Sequence, residues 1–405
     1  MLRFLTAGES HGQALVTILE GMPAGLAIDF EAITSQLRRR QTGYGRGRRM
    51  AIESDRAQIL SGVRHGTTTG GPIALLIPNK DWENWQRTMA VDVEPAPATP
   101  GVERPVVTRP RPGHADLAGV VKYGHEDIRN VLERASARET AARVAVGSLA
   151  RQLLAQTGTE VVSHVVSIGS ASLPDPLAVT FDEARSIGDQ SPLHCVDAAV
   201  EQGMIAEIDR AREAGDTMGG SFEVIVNGVP PGLGSHVQWD RKLDGRLAQA
   251  LMSIQAIKAV GIGRGPLVAA LPGSRIHDEI LPRSGTPSKS GMAIARPTNN
   301  AGGLEGGITN GEDLRITAYM KPIATLMKPL RSVDLATMEV SPATVERSDV
   351  CAVPAAAVVG EAMVAIVVAD ALVEKFGGDS LEELLANWRA FQARTAERFR
   401  KSRSS

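Results

Sequence analysis

The chain has 405 residues, 44 Lys and Arg against 46 Asp and Glu, and a formal net charge of −2. That length holds a substantial core in one large domain or two smaller ones, and the balance of charge excludes a global attraction for nucleic acid or an anionic membrane; any basic site must be local. Two cysteines, Cys195 and Cys351, form no CxxC and no metal-ligand spacing, so a reducing cytoplasm fits better than a disulfide framework.

In chain order, MLRFLTAGES lacks the basic start and long apolar core of a signal peptide. The phrase GESHG (8–12) then introduces a strand, QALVTILEG, a tight turn and a helix over 30–40. Residues 38–49, RRRQTGYGRGRR, hold six arginines among glycines. GVRHG (62–66) leads into an apolar strand ending at Pro78. Residues 78–112 carry seven prolines and little periodicity, a loop long enough to be functional, and it leaves through TRPRPGHADL. ERASARET (133–140) reads as a helix placing Arg134 and Arg138 on one face, salt-bridged through Glu133 and Glu139. Small-residue helices follow at 139–156 and 354–375, suited to close packing. The long apolar stretch at 352–373 contains Glu361 and Asp370, which favours a buried helix over a membrane span.

The opening phrase is written twice. Residues 8–26 and 215–233 align without a gap at an offset of 207, with seven of 19 positions identical, five of them glycine or proline pairs that mark turns and two of them Ile and Leu. The second copy leads to a helix over 240–258. GVRHG is echoed by GITNG (307–311), and Glu133-Arg134 by Glu346-Arg347, with Gly147 and Gly360 at matching distances. Three echoes in order predict an internal duplication: a first α+β half over 1–205, a second over 206–380, and a charged helical tail over 381–405, together one compact unit.

Glycines around arginines let backbone bend closely about a small anion, and the guanidinium fork suits phosphate or carboxylate. A basic arm for RNA is the other reading of 38–49, with only Tyr44 available for stacking. The spacing is not a dinucleotide fingerprint. His11 and His114 sit in glycine-bounded loops and can exchange protons near neutral pH; the remaining six histidines lack such settings. Asp349, beside Arg347, is a candidate base. The segments 299–311 and 320–329 offer glycine amides and two lysines for a second anion. A phosphohydrolase with a histidine nucleophile fits these residues as well.

GESHG with its strand and EGMPAG, then ERASARET and RSDVCAVPAAAVVGEAM, closely resemble the signature regions of the chorismate synthase family. RRRQTGYGRGRR, RPGHADL, SIQAIKAVGIG, NAGGLEGGITNG and KPIAT match in the same order, so the resemblance runs to about residue 375. It implies an α+β sandwich of antiparallel sheets around a helical core, a homotetramer in the cytoplasm, and elimination of phosphate from 5-enolpyruvylshikimate 3-phosphate to give chorismate. It implies reduced FMN without net redox change, NADPH only as an indirect reductant through an external flavin reductase, and no metal, nucleic acid or membrane. By resemblance, His11 protonates the reduced flavin, His114 assists the leaving phosphate, and Asp349 helps remove the substrate proton. Arg40, Arg46 and Arg49 hold the substrate; the family positions matching Arg40 and Arg46 are also described as NADP sites, but a multiply anionic substrate explains the whole cluster. FMN contacts fall on Arg134, Ala135, Ser136, Gln255, Ala256, Gly306, Lys321, Pro322, Ile323, Ala324, Thr325 and Arg347. Met218, which takes the place of His11 in the second copy, is expected to pack rather than react.

Overall fold

The computed structural model describes residues 1–47, 55–93, 99–188, 190–283, 292–346 and 348–401. The first sheet holds β1 (Arg3–Ala7), β2 (Ala14–Glu20), β3 (Gln58–Ile59) and β4 (Ile73–Pro78) in the order β1-β2-β4-β3. The second holds β5 (Glu160–Ile168), β6 (Ala171–Ser172), β7 (Gly220–Asn227), β8 (Ile257–Ile262) and β9 (Leu314–Met320) in the order β6-β5-β7-β9-β8. All these pairings are antiparallel. Without β6, the two sheets have one topology, with β1, β2, β4 and β3 answering to β5, β7, β9 and β8.

The match extends to single hydrogen bonds. The Thr68 hydroxyl donates to the Pro23 carbonyl at 2.6 Å and accepts from Leu26 N–H at 2.9 Å. Thr309 does the same with Pro230 at 2.6 Å and Leu233 at 2.8 Å. Gly25 N–H donates to Thr68 O, and Gly232 N–H to Thr309 O. The duplicated glycine–proline frame therefore builds the same turn twice.

Between the sheets lie the helices α1 (Phe30–Gln41), α4 (Thr140–Ala155), α6 (Leu243–Met252) and α7 (Val353–Phe376). Their predecessors and neighbours in the chain are α2 (Asp116–Tyr123), α3 (Arg129–Ala135) and α5 (Ala198–Ala214). Helix α4 packs on the first sheet, α7 on the second, and the two pack on each other. Their glycines make this possible: a Cβ on Gly147 would stand 2.3 Å from the Ala362 Cβ, and one on Gly360 2.5 Å from the Phe222 ring. One buried apolar cluster runs through both halves. Among the described residues only α7 is long and apolar enough to cross a membrane, and 89% of its most apolar window is buried inside the fold. Both cysteines are buried and unbridged.

Four expectations need correction. Strand β5 pairs with β7, so the second sheet begins well before residue 206. The helix expected over 240–258 stops at Met252; Ala256 turns through φ 67° and β8 starts at Ile257, because the strand hydrogen-bonds along β9. ERASARET is not one helix. Helix α3 ends at Ala135, Ser136 is extended with its hydroxyl accepting from Arg138 N–H, and α4 begins at Thr140, which turns Arg134 and Arg138 apart. The tail is also more than an appendage: α8 (Leu381–Lys401) buries Leu384 and Trp388, with Trp388 against Phe376, and Leu381 N–H donates to Ala24 O.

Candidate active site

His11 lies in the loop between β1 and β2, and α3 holds it. Ser10 N–H donates to Glu133 O at 3.0 Å, and His11 N–H to Glu133 Oε2 at 2.9 Å. The imidazole Nδ1 is 2.9 Å from each carboxylate oxygen of Glu133. A charged Glu133 thereby keeps a hydrogen on Nδ1 and leaves Nε2 for chemistry. On the far side of the loop, the Asn79 amide donates to Glu9 O at 3.1 Å and Gly12 O at 2.7 Å, and the Trp85 ring stacks on His11 at 3.8 Å. Met218, in the matching position, packs against the core.

The break at Ser136 sends successive side chains to different jobs. Arg134, exposed, donates to Thr6 O at 2.9 Å, Thr6 Oγ1 at 2.8 Å and Gly8 O at 3.2 Å. Ser136 donates to the Ser10 hydroxyl. Arg138 is buried and donates to Asn79 Oδ1 at 2.9 Å and Asp55 Oδ2 at 2.6 Å.

The arginine cluster divides in the same way, because consecutive helical residues point about 100° apart. Arg38 is exposed at the basic end of α1. Arg39 turns inward to Glu361, with 2.8 Å contacts to both carboxylate oxygens. Arg40 turns to Asp55 Oδ2 at 3.1 Å and is almost fully buried, a placement its sequence context did not suggest. Burial would raise the Asp55 pKa, but Arg138 and Arg40 outweigh it and hold the carboxyl below its usual range. Arg46 pairs with Asp349 Oδ2 at 3.0 Å, while Gly47 N–H donates to Asp349 Oδ1 at 2.6 Å. Arg49 and Arg347 lie outside the described residues.

His114 caps a compact network at the start of α2. Its Nδ1 is 2.5 Å from Asp116 Oδ1, and Arg111 Nε donates to Asp116 Oδ2 at 2.9 Å. Burial opposes the charge on Asp116, yet His114 and Arg111 hold its pKa well below the carboxylate range. Arg111 also donates to Thr325 Oγ1 at 3.0 Å, and Lys321 Nζ to Gly113 O at 2.8 Å. Burial, with Lys258 nearby, lowers the Lys321 pKa.

Segment 321–325 is where the parts meet. Lys321 N–H donates to Ala256 O, beside Gln255, whose amide reaches Glu139 Oε2 at 3.4 Å. Glu139 accepts from Thr6, the partner of Arg134. Thr217 Oγ1 donates to Ile323 O, and the adjacent Met218 N–H to Val350 O, next to Asp349. Arg134, Ala135, Ser136, Gln255, Ala256 and Lys321 to Thr325 thus belong to one connected surface with both histidines and Asp349. Among the described residues Gly306 does not join it by a hydrogen bond; it sits in the 304–309 hairpin beside His236. Sequence reading missed Asp55, Asn79, Trp85 and Asp116, and read Glu133 as a helix ion pair. For Asp116 the His-x-Asp spacing was the available signal.

A fold of paired antiparallel sheets about a helical core, with two histidines, a carboxylate and several arginines joined through one hydrogen-bonded network, is the arrangement of an enzyme suited to a small anionic substrate. The comparisons are specific. The chorismate synthase family model matches residues 2–373. A chorismate synthase of Desulforudis audaxviator is 57% identical over 396 residues, covering 97% of this chain and 98% of that protein. One of Symbiobacterium thermophilum is 55% identical over 397 residues, covering 98% and 100%. A crystal structure of chorismate synthase superposes with a TM-score of 0.77 at 43% identity, covering 98% of each chain. The chain belongs to the chorismate synthase family.

Proposed function

We propose that the chain eliminates phosphate from 5-enolpyruvylshikimate 3-phosphate to form chorismate, the final step of the shikimate pathway. The observation that carries this reading is the family match across residues 2–373, with every site motif inside it. The substrate bears two carboxylates and a phosphate, so a site containing Arg40, Arg138, Arg46, Arg111 and Lys321 suits its binding.

The residues also suit reduced FMN. Gln255 Oε1 is a buried acceptor without a hydrogen-bond partner among the described residues, as a cofactor N–H requires. Arg134, Ser136, Lys321 and Thr325 supply further donors, and Ala135, Ala256, Gly306 and 322–324 supply backbone. Bound reduced FMN supplies an electron-rich ring that can lend charge to the allylic system as phosphate leaves, without net redox change. His114 presents Nε2 toward the departing phosphate, with Asp116 fixing Nδ1. His11 offers Nε2 as the atom through which a proton passes, with Glu133 fixing Nδ1. Asp349 offers the carboxylate through which the substrate proton is drawn away, and Arg46 holds it in place.

NADPH enters this reading only as the source of flavin reduction through an external reductase, the site is cytoplasmic, and the assembly is a homotetramer. The two halves, with the boundary moved to precede β5, form one structural unit. An anaerobic assay with and without chemically reduced FMN, following chorismate and phosphate together, tests the reaction. Equal amounts of both, only with reduced flavin, are expected. Phosphate alone means a hydrolase and overturns it.

A further inference from the structure

We propose that Trp85 is a positioning residue for His11, acting through the face of the imidazole; this rests on the proposed proton-transferring role of His11. A hydrogen bond at Nδ1 alone leaves a ring free to swing about that contact. Glu133 supplies that one contact, and among the described residues Nε2 has no partner. What fixes the plane is the indole, with ring centroids 3.8 Å apart and planes 17° from parallel. A stack this close and this nearly parallel narrows the ring's excursions beyond what burial alone does.

The indole is itself held. Trp85 is 7% exposed although it lies just past a short 3-10 turn in the long proline-rich segment. Its Nε1–H donates to Asp81 Oδ2 at 2.9 Å, and the Arg104 guanidinium lies 3.9 Å from its ring centroid. Arg104 N–H donates to Thr88 Oγ1, which donates to Val102 O, so the strand of chain returning from 99–104 is tied to the one leaving. Asn79, six residues before Trp85, clasps the His11 loop on both sides of the histidine. The start of the proline-rich segment is thus a clamp on the His11 loop, with Asn79 gripping its backbone and Trp85 its side chain. The charged groups around the imidazole are Glu133 and, 3.8 Å from Glu133, Arg129 on α3, Glu9 in the same loop, and Arg104 and Asp81 across the indole.

The test compares Trp85→Leu, Trp85→Phe, His11→Ala and the His11→Ala/Trp85→Leu double variant. Chorismate formation is measured anaerobically with reduced FMN, and the rate of His11 carbethoxylation is measured by peptide mass spectrometry on protein without flavin. Expected are a fall in kcat of about tenfold or more in Trp85→Leu with KM within about twofold, and near-rescue by Phe, which keeps the stack. His11 should react severalfold faster in Trp85→Leu than in the parent or in Trp85→Phe. In the His11→Ala background, Trp85→Leu should change kcat by less than about twofold, because its route of action is already gone. Undiminished loss in the double variant, or equal loss in Leu and Phe variants with unchanged His11 reactivity, overturns the positioning role. A His11→Ala variant with undiminished kcat overturns instead the reading of His11 on which the proposal stands, and is seen in the single variant alone.

Discussion

Replacing Glu361 by Gln removes a carboxylate that ties α7 to α1, α4 and β5. Its side chain, 1% exposed on α7, accepts two bonds from Arg39 on α1, one from Arg151 on α4 and one from the Ser163 hydroxyl on β5 at 2.7 Å. Burial by itself would push its pKa up; Arg39 and Arg151 outweigh that and bring it from 4.5 down to about 2. A gap of that size corresponds to about 3 kcal/mol in favour of the charged native form. The folded pKa is depressed, so this stability is complete above pH 4.5 and drains away as pH falls toward 2. Glutamine keeps the volume but leaves two guanidiniums facing a neutral amide. Urea denaturation followed by tryptophan fluorescence, at one fixed protein concentration, should show a deficit of about 3 kcal/mol at pH 7 that shrinks steadily between pH 4.5 and 3. Other carboxylates titrate alike in both proteins and cancel in the difference. A deficit that stays constant with pH, or one below about 1 kcal/mol at pH 7, would refute the electrostatic account and leave only packing.

The remaining expectations concern the site. His11→Ala should lower kcat by roughly 10²- to 10⁴-fold with the thermal midpoint little changed, whereas Met218→Leu should alter kcat by less than about twofold; equal losses from both would end the distinction drawn between the two copies. Asp116→Asn removes the charge that holds both His114 Nδ1 and Arg111, leaving their mutual 3.1 Å contact and the Arg111–Thr325 bond, so kcat should fall on the order of 10²-fold and reduced-flavin affinity should weaken through Thr325, both read from anaerobic kinetics at varied flavin. If only the melting temperature moves, Asp116 is a folding residue. Arg40→Gln should raise the substrate KM and also cost about 1–3 kcal/mol in denaturation, since Asp55 loses one of the two guanidiniums that hold it; a stability loss with KM unchanged would remove Arg40 from substrate binding.

Much of the architecture could be read from residue pattern, and the reason is local. The paired frame at Gly21, Pro23, Gly25 and Leu26 and at Gly228, Pro230, Gly232 and Leu233 demands particular backbone turns, and those turns recur with the same threonine bonds. Small residues in 139–156 and 354–375 announced close helix packing, which Gly147 and Gly360 realise. The partners of the functional groups were another matter. Glu133 is 122 positions from His11, and Asp55 is 83 from Arg138, so no window of sequence contains the pair. ERASARET looked helical throughout because its propensities are helical; the Ser136 cap that breaks it answers to Ser10, which lies across the fold. Residues 253–258 failed for the same reason, since pairing with β9 outweighed the preference of SIQAIK.

The duplication explains where the proposed chemistry can sit. Each copy has a glycine loop before its strand and a segment leading into its central helix, and in each copy the loop docks on that segment. In the first, Ser10 N–H donates to Glu133 O just ahead of α4; in the second, Met218 N–H donates to Val350 O just ahead of α7. The two junctions sit at the same place in the frame, although the bonding amides are one position apart in the repeat (Met218 answers to His11, not Ser10), and they are unlike in side chain. At the first a carboxylate, Glu133, holds a histidine; at the second the carboxylate, Asp349, is held by Arg46 and Gly47 reaching over from the first half. A reaction that draws a proton away at one place and supplies one at another needs such inequality. A symmetric frame whose two junctions are both brought to segment 321–325 provides the distance and rigidity, while substitution within it provides the difference. On this account the positions that differ between the copies, and not the glycines they share, are where altered chemistry should be sought.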